Sequence, residues 1–156
     1  METKQHLRDE TIDKVQDLIQ INIDSENGFA DAADKVKDTK IATLFRQLGA
    51  ERAANAKELQ TIVKWNGEKP QTEGSFAAAA HRAWMDMRAA LNGGDASVVL
   101  SEAERGEDAI KEMYEDVLKE TAGSAVNDVL SHQYAKVKAG HDKVRDLRDA
   151  YAHAHA

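Results

Sequence analysis

The chain has 156 residues, 28 acidic against 21 basic, for a net charge of −7, and 42% of it is apolar. That length suits one domain, spanning 1–156 with an ordered core over about 9–152, large enough to fold without a disulfide or metal staple. The absence of cysteine excludes a disulfide scaffold, thiolate chemistry and any Cys-ligated metal. The acidic balance speaks against a nucleic-acid or anionic-membrane partner, and no apolar run approaches the ~20 residues that a membrane span needs.

The polar segment Met1 to Glu10 lacks the apolar stretch of a secretory signal, so cytoplasmic residence is expected. Ile12, Val15, Ile19, Ile23, Phe29, Ala33 and Val36 then recur three or four apart and predict a first helix over about 9–37. Asp38-Thr39 makes a break, and either residue is placed to cap the next helix. That second helix carries Ile41, Leu44, Phe45, Leu48, Leu59, Ile62 and Val63 and ends near Trp65.

Residues 66–74, with Gly67, Pro70 and Gly74, read as loop. A shorter third helix is predicted over Ser75–Leu91, capped by Ser75, with Phe76, Ala80, Trp84, Met87 and Leu91 on one face and Asn92-Gly93-Gly94 as its stop. The fourth opens at Asp95 or Ser97, carries Leu100, Ala103, Ile110, Met113, Tyr114 and Val117, and ends near Gly123. Ser124 is expected to cap the fifth, whose stripe runs Val126, Leu130, Val137, Val144, Leu147 and Tyr151; the last six residues, Tyr151 to Ala156, are expected to fray. No segment alternates with period two, so the fold class is all-α.

Lengths set the arrangement. The first, second and fifth helices each have about 28 residues, or about 42 Å. Short breaks at Asp38 and Gly123 predict two antiparallel hairpins, and residues 67–96 must join them along the length of the bundle. The expected architecture is a four-helix bundle with one long crossover that carries the additional shorter helix, the connectivity of ferritin-like bundles; the alternative is a five-helix array with the third helix as a full member.

The informative residues are those that interrupt the apolar stripes. Asn22 and Glu26 do so on the first helix, Glu51 and Asn55 on the second, Glu104 and Glu107 on the fourth, Gln133 and His141 on the fifth. Counted from residue 38, Glu26 lies 12 before and Glu51 13 after; counted from residue 122, Glu104 lies 18 before and His141 19 after. With the two turns at opposite ends, these layers coincide near the bundle midpoint. Burying carboxylates is costly unless they are paired or bind a metal. Carboxylates with imidazole inside a four-helix bundle make a di-metal ligand set, so Glu26, Glu51, Glu104, Glu107 and His141 are the candidate metal ligands, with iron or manganese as the metal. The pattern departs from that site type in one respect: Glu-x-x-His is expected on two helices, yet Glu51 is followed three later by Ala54 and Glu104 by Glu107.

Other polar residues point to solvated or boundary positions: His81 on the crossover, His132 facing outward, His153 and His155 in the tail. No Gly-x-Ser-x-Gly elbow, Walker A or Gly-x-Gly-x-x-Gly pattern is present. Gly106, inside a helix, predicts close approach of a neighbouring ring, with Trp84 the candidate, and Gly28 and Gly140 invite the same reading.

Asp24-Ser25-Glu26-Asn27-Gly28-Phe29, Glu51-Arg52-Ala53, His81-Arg82-x-Trp84-Met85-Asp86, Glu102-x-Glu104-Arg105-Gly106-Glu107-Asp108 and His141-Asp142-x-Val144-Arg145 together resemble the blocks of a bacterial family of ferritin-like four-helix-bundle proteins of unknown function. The resemblance covers about 9–150 and implies the ferritin-like fold, but no activity, substrate or metal. The expected function is that of an interaction or stress-associated protein whose inward polar groups form a satisfied network that fixes helix register. The alternative is a di-metal carboxylate protein for metal handling or oxidative-stress protection. Whether the chain is an enzyme stays open, and helix faces leave room for a homodimer.

Overall fold

The computed structural model describes residues 2–74, 78–91 and 96–154, excluding the side chains of 78–83, 88 and 154. Five helices account for nearly all of it: α1 (Asp9–Lys35), α2 (Thr39–Trp65), α3 (Ala78–Leu91), α4 (Ala96–Glu120) and α5 (Asn127–Ala154), with no strand among the described residues. The all-α expectation holds.

Local chemistry explains most of the boundaries. Asp38 rather than Thr39 caps α2, its carboxylate accepting from the Ile41 backbone N–H at 3.1 Å. Gly123, at φ +82, turns the chain after α4 in a conformation that favours glycine. Two expectations shift. Helix α5 starts at Asn127, after a turn in which the Ser124 hydroxyl donates to Glu2 and accepts from the Val126 N–H at 3.3 Å, while Glu2 also accepts from the Ala125 N–H. The carboxyl end does not fray at Tyr151: α5 continues to Ala154, and the Tyr151 hydroxyl donates to Asp38 at 2.7 Å. The proposed Ser75 cap and the Asn92-Gly93-Gly94 stop lie outside the described residues.

Helices α1 and α2 pack as one antiparallel hairpin and α4 and α5 as the other. The hairpin turns sit at opposite ends. Tyr151, near the end of α5, reaches the α1–α2 turn at Asp38, while Lys4 pairs with Asp128 at 2.8 Å and the Leu7 N–H donates to Asn66 at the far end. Across the hairpins, α1 packs against α4 and α2 against α5, and the segment from Asn66 to Ala96 carries the chain back along the bundle. Gln16 and Gln60 tie its first part down, through Lys69 O, the Gln71 N–H and Gln71 O.

Helix α3 then lies on α1 and α4. Its Trp84, 8% exposed, is pressed between two glycines: a Cβ on Gly28 would lie 2.5 Å from the indole and one on Gly106 2.9 Å from it. Phe29 meets the same ring edge-on at 4.9 Å. The close approach expected at Gly106 and Gly28 is therefore the docking site of the crossover.

The core is split. One apolar cluster, including Val15, Leu18, Ile19, Leu59, Ile62, Tyr114 and Leu130, fills the end near the amino terminus. A second, including Phe29, Phe45, Leu48, Trp84, Leu100 and Val144, fills the end near Asp38. Between them lie the buried polar residues Asn22, Ser25, Arg52, Asn55, Glu107 and Gln133.

Candidate functional site

The polar layer has two tiers. In the first, Asn22 of α1 donates to the Tyr114 hydroxyl of α4 at 2.8 Å, which donates to Gln133 Oε1 of α5 at 2.7 Å. Gln133 Nε2 donates to Glu58 Oε1 at 2.7 Å and to the Asn55 carbonyl at 3.3 Å, and Asn55 Nδ2 returns to Asn22 Oδ1 at 3.4 Å. One ring of hydrogen bonds thus joins all four long helices. Burial pushes the Tyr114 phenol well above its ordinary value.

The second tier begins three residues on, at Ser25 and Arg52. Arg52 of α2 and Glu107 of α4 are both completely buried, and Arg52 Nη2 stands 2.5 Å from Glu107 Oε2. The glycine at 140 lets α5 close over this pair: a Cβ there would fall 2.9 Å from both Arg52 Nη2 and Leu48 Cδ2. Burial pushes the Glu107 carboxyl above its ordinary value, against the pull of the Arg52 guanidinium and, more weakly, of His141. Glu51 approaches Arg52 Nη1 only to 3.8 Å, with its side chain one-third exposed.

At the boundary of the same tier stands His141, 8% exposed. Its Nε2 lies 2.7 Å from Asp108 and 3.6 Å from Glu104, and its Nδ1 3.1 Å from Asp142, whose carboxyl that contact holds below its ordinary value. Glu104 is also paired with Arg148.

The five candidate ligands therefore divide. Glu51, Glu104, Glu107 and His141 share one region of the bundle, as the depth counting predicts, but they split into two groups: Glu107 and, more distantly, Glu51 face Arg52, while His141 lies among Asp108, Asp142 and Glu104, the last of them also paired with Arg148. Glu26 is half-buried and lines a groove of about 730 Å³ on the outer face of α1 and α2, with Lys57, Gln60 and Thr72; Ser25 holds the inward position. Among the described residues, no group of three or more His, Asp or Glu side chains is placed to hold a metal ion. His132 and His153 are exposed, and the side chain of His81 and the whole of His155 lie outside the described residues.

Sequence reasoning missed Arg52. Its signal was available, since residues 41, 45, 48, 52, 55, 59 and 62 form an unbroken three–four spacing.

A family model for a domain of unknown function (DUF2383) matches residues 10–120. The chain belongs to this family. The DUF2383 match takes in Asn22, Ser25, Arg52, Asn55, Trp84 and Glu107, and stops before the α5 residues Gln133, Gly140 and His141. Comparison with curated proteins found no match.

Proposed function

We propose that this DUF2383 protein is a ferritin-like bundle that needs no metal and works as an interaction protein of the cytoplasm, through its helix faces rather than through chemistry at its centre. One observation carries this reading: the buried guanidinium of Arg52 lies against Glu107, in the part of the bundle where a carboxylate-bound metal would supply the positive charge. A di-metal centre would set further cations beside a buried arginine and compete with it for the same carboxylate, at a large cost in a poorly solvated interior. The candidate ligands do not fit such a centre, since Glu107 and Glu104 are both engaged by arginines and Glu26 faces the outer groove.

The satisfied ring through Asn22, Tyr114, Gln133 and Asn55 supports the same reading, because it fixes the register of all four helices without a ligand. The alternative di-metal reading draws on the shared level of Glu51, Glu104, Glu107 and His141. Melting curves separate the two. Chelator, or added iron(II) or manganese(II), should leave the melting temperature unchanged. A rise with either metal that is lost in Glu107→Gln would contradict the proposal.

A further inference from the structure

The second polar tier is chemically incomplete. Ser25 Oγ, Arg52 Nε, Arg52 Nη1 and Glu107 Oε1 are buried and have no hydrogen-bond partner among the described residues. All three residues are 0% exposed, so bulk solvent does not serve these atoms. They belong to one place: Ser25 and Arg52 sit three residues from the bonded pair Asn22 and Asn55 on adjacent helices, and Arg52 is in contact with Glu107. The neighbouring tier shows that this sequence can close a polar ring with side chains alone, so four open atoms at one level need a separate explanation.

The chemistry of the open atoms selects what completes them. Arg52 offers N–H donors and needs acceptors. Glu107 Oε1 is an acceptor and needs a donor, and the serine hydroxyl takes either role. A simple anion such as chloride would accept from Arg52 but has nothing to donate to Glu107. A metal cation would bind Glu107 but would be repelled by Arg52. Water does both, and buried polar groups left over by the protein are the usual partners of internal water. We propose that the Ser25–Arg52–Glu107 tier is a binding site for internal water, which bridges Arg52 Nε or Nη1 to Glu107 Oε1 and makes the ion pair a hydrated one. The inference goes beyond the metal-independent reading, which needs only the direct contact between Arg52 and Glu107.

A high-resolution crystal structure, paired with magnetic relaxation dispersion of water oxygen-17, tests it. The expected result is a density peak within hydrogen-bonding distance of both Arg52 and Glu107 Oε1, together with a long-lived water signal. That signal should be lost in the paired substitution Arg52→Met with Glu107→Leu and altered in Ser25→Ala, which keeps the inference testable if the pair does not fold. No peak and no difference in dispersion between parent and Ser25→Ala would overturn the water site while leaving the metal-independent reading intact. A peak that exchanges with bromide would overturn it in favour of an anion. A peak at coordination distance from Glu107, absent after chelation, would overturn both.

Discussion

Replacing Gly28 by alanine should reverse the usual sign of such a change. At an open helix interior the substitution stabilises by about 1 kcal/mol, because alanine is the better helix former. Here the new Cβ would stand 2.5 Å from indole atoms Cδ2 and Cε3 of Trp84 and 3.0 Å from Cζ3. Carbon atoms rest at about 3.5–4.0 Å, so roughly 1 Å of overlap must be relieved. The ring has nowhere to retreat: its far side is against Gly106, where a Cβ would lie 2.9 Å away, and Phe29 is edge-on to it. Overpacking of this kind costs about 1–3 kcal/mol. Set against the helix gain, the net change runs from near zero to about 2 kcal/mol destabilising, or up to a few degrees in melting temperature for a chain of this size. Urea unfolding followed by circular dichroism, in parent and Trp84→Ala backgrounds, isolates the contact. With the indole gone, Gly28→Ala should become stabilising. Equal effects in the two backgrounds, or a parent made more stable by Gly28→Ala, would refute the account of how α3 docks.

Two further predictions concern the end of the bundle near residue 38. The Asp38 carboxylate holds the Tyr151 phenol up, to about 12 from an ordinary 10.0, so tyrosinate absorbance at Tyr151 should appear only well above pH 10 in the native protein and near 10 in denaturant. The stability from this raised group is full below pH 10 and disappears as pH climbs through about 12; native ionisation at 10 would contradict the contact. In the other direction, the Tyr151 hydroxyl and the Ile41 N–H hold the Asp38 carboxyl below its ordinary 3.8. Its contribution is therefore present above that value and lost as pH falls through the depressed one. Asp38→Asn keeps an acceptor for the Ile41 N–H but removes the charge, so it should cost about 1 kcal/mol or less near neutral pH, with the difference from the parent shrinking in acid, and a pH-independent difference would count against it.

The helices and their antiparallel pairing were legible because the apolar stripes are long and regular, and the bundle's connectivity followed from helix length. The depth of the polar layer was legible too, since rise per residue is fixed. Rotation about each helix axis was the weak link. From Leu48, both residue 51 and residue 52 satisfy the spacing, and chemical expectation favours putting a carboxylate inward over an arginine. Burial of Arg52 depends on Glu107 across the bundle and on the missing side chain at Gly140, neither visible from α2 alone. The same one-position ambiguity gave Glu26 the place that Ser25 holds. The start of α5 involves Glu2, a residue more than a hundred positions away, whereas α2 is capped locally by Asp38.

The role of Arg52 as the central cation is tested most directly by a double-mutant cycle on Arg52→Met and Glu107→Leu, read as unfolding free energy. Each single substitution strands a buried charge and should cost about 3–5 kcal/mol, whereas the double, with neither charge left, should come close to the parent. Additive losses, with the double variant as unstable as the two singles combined, would contradict the pairing on which the account rests.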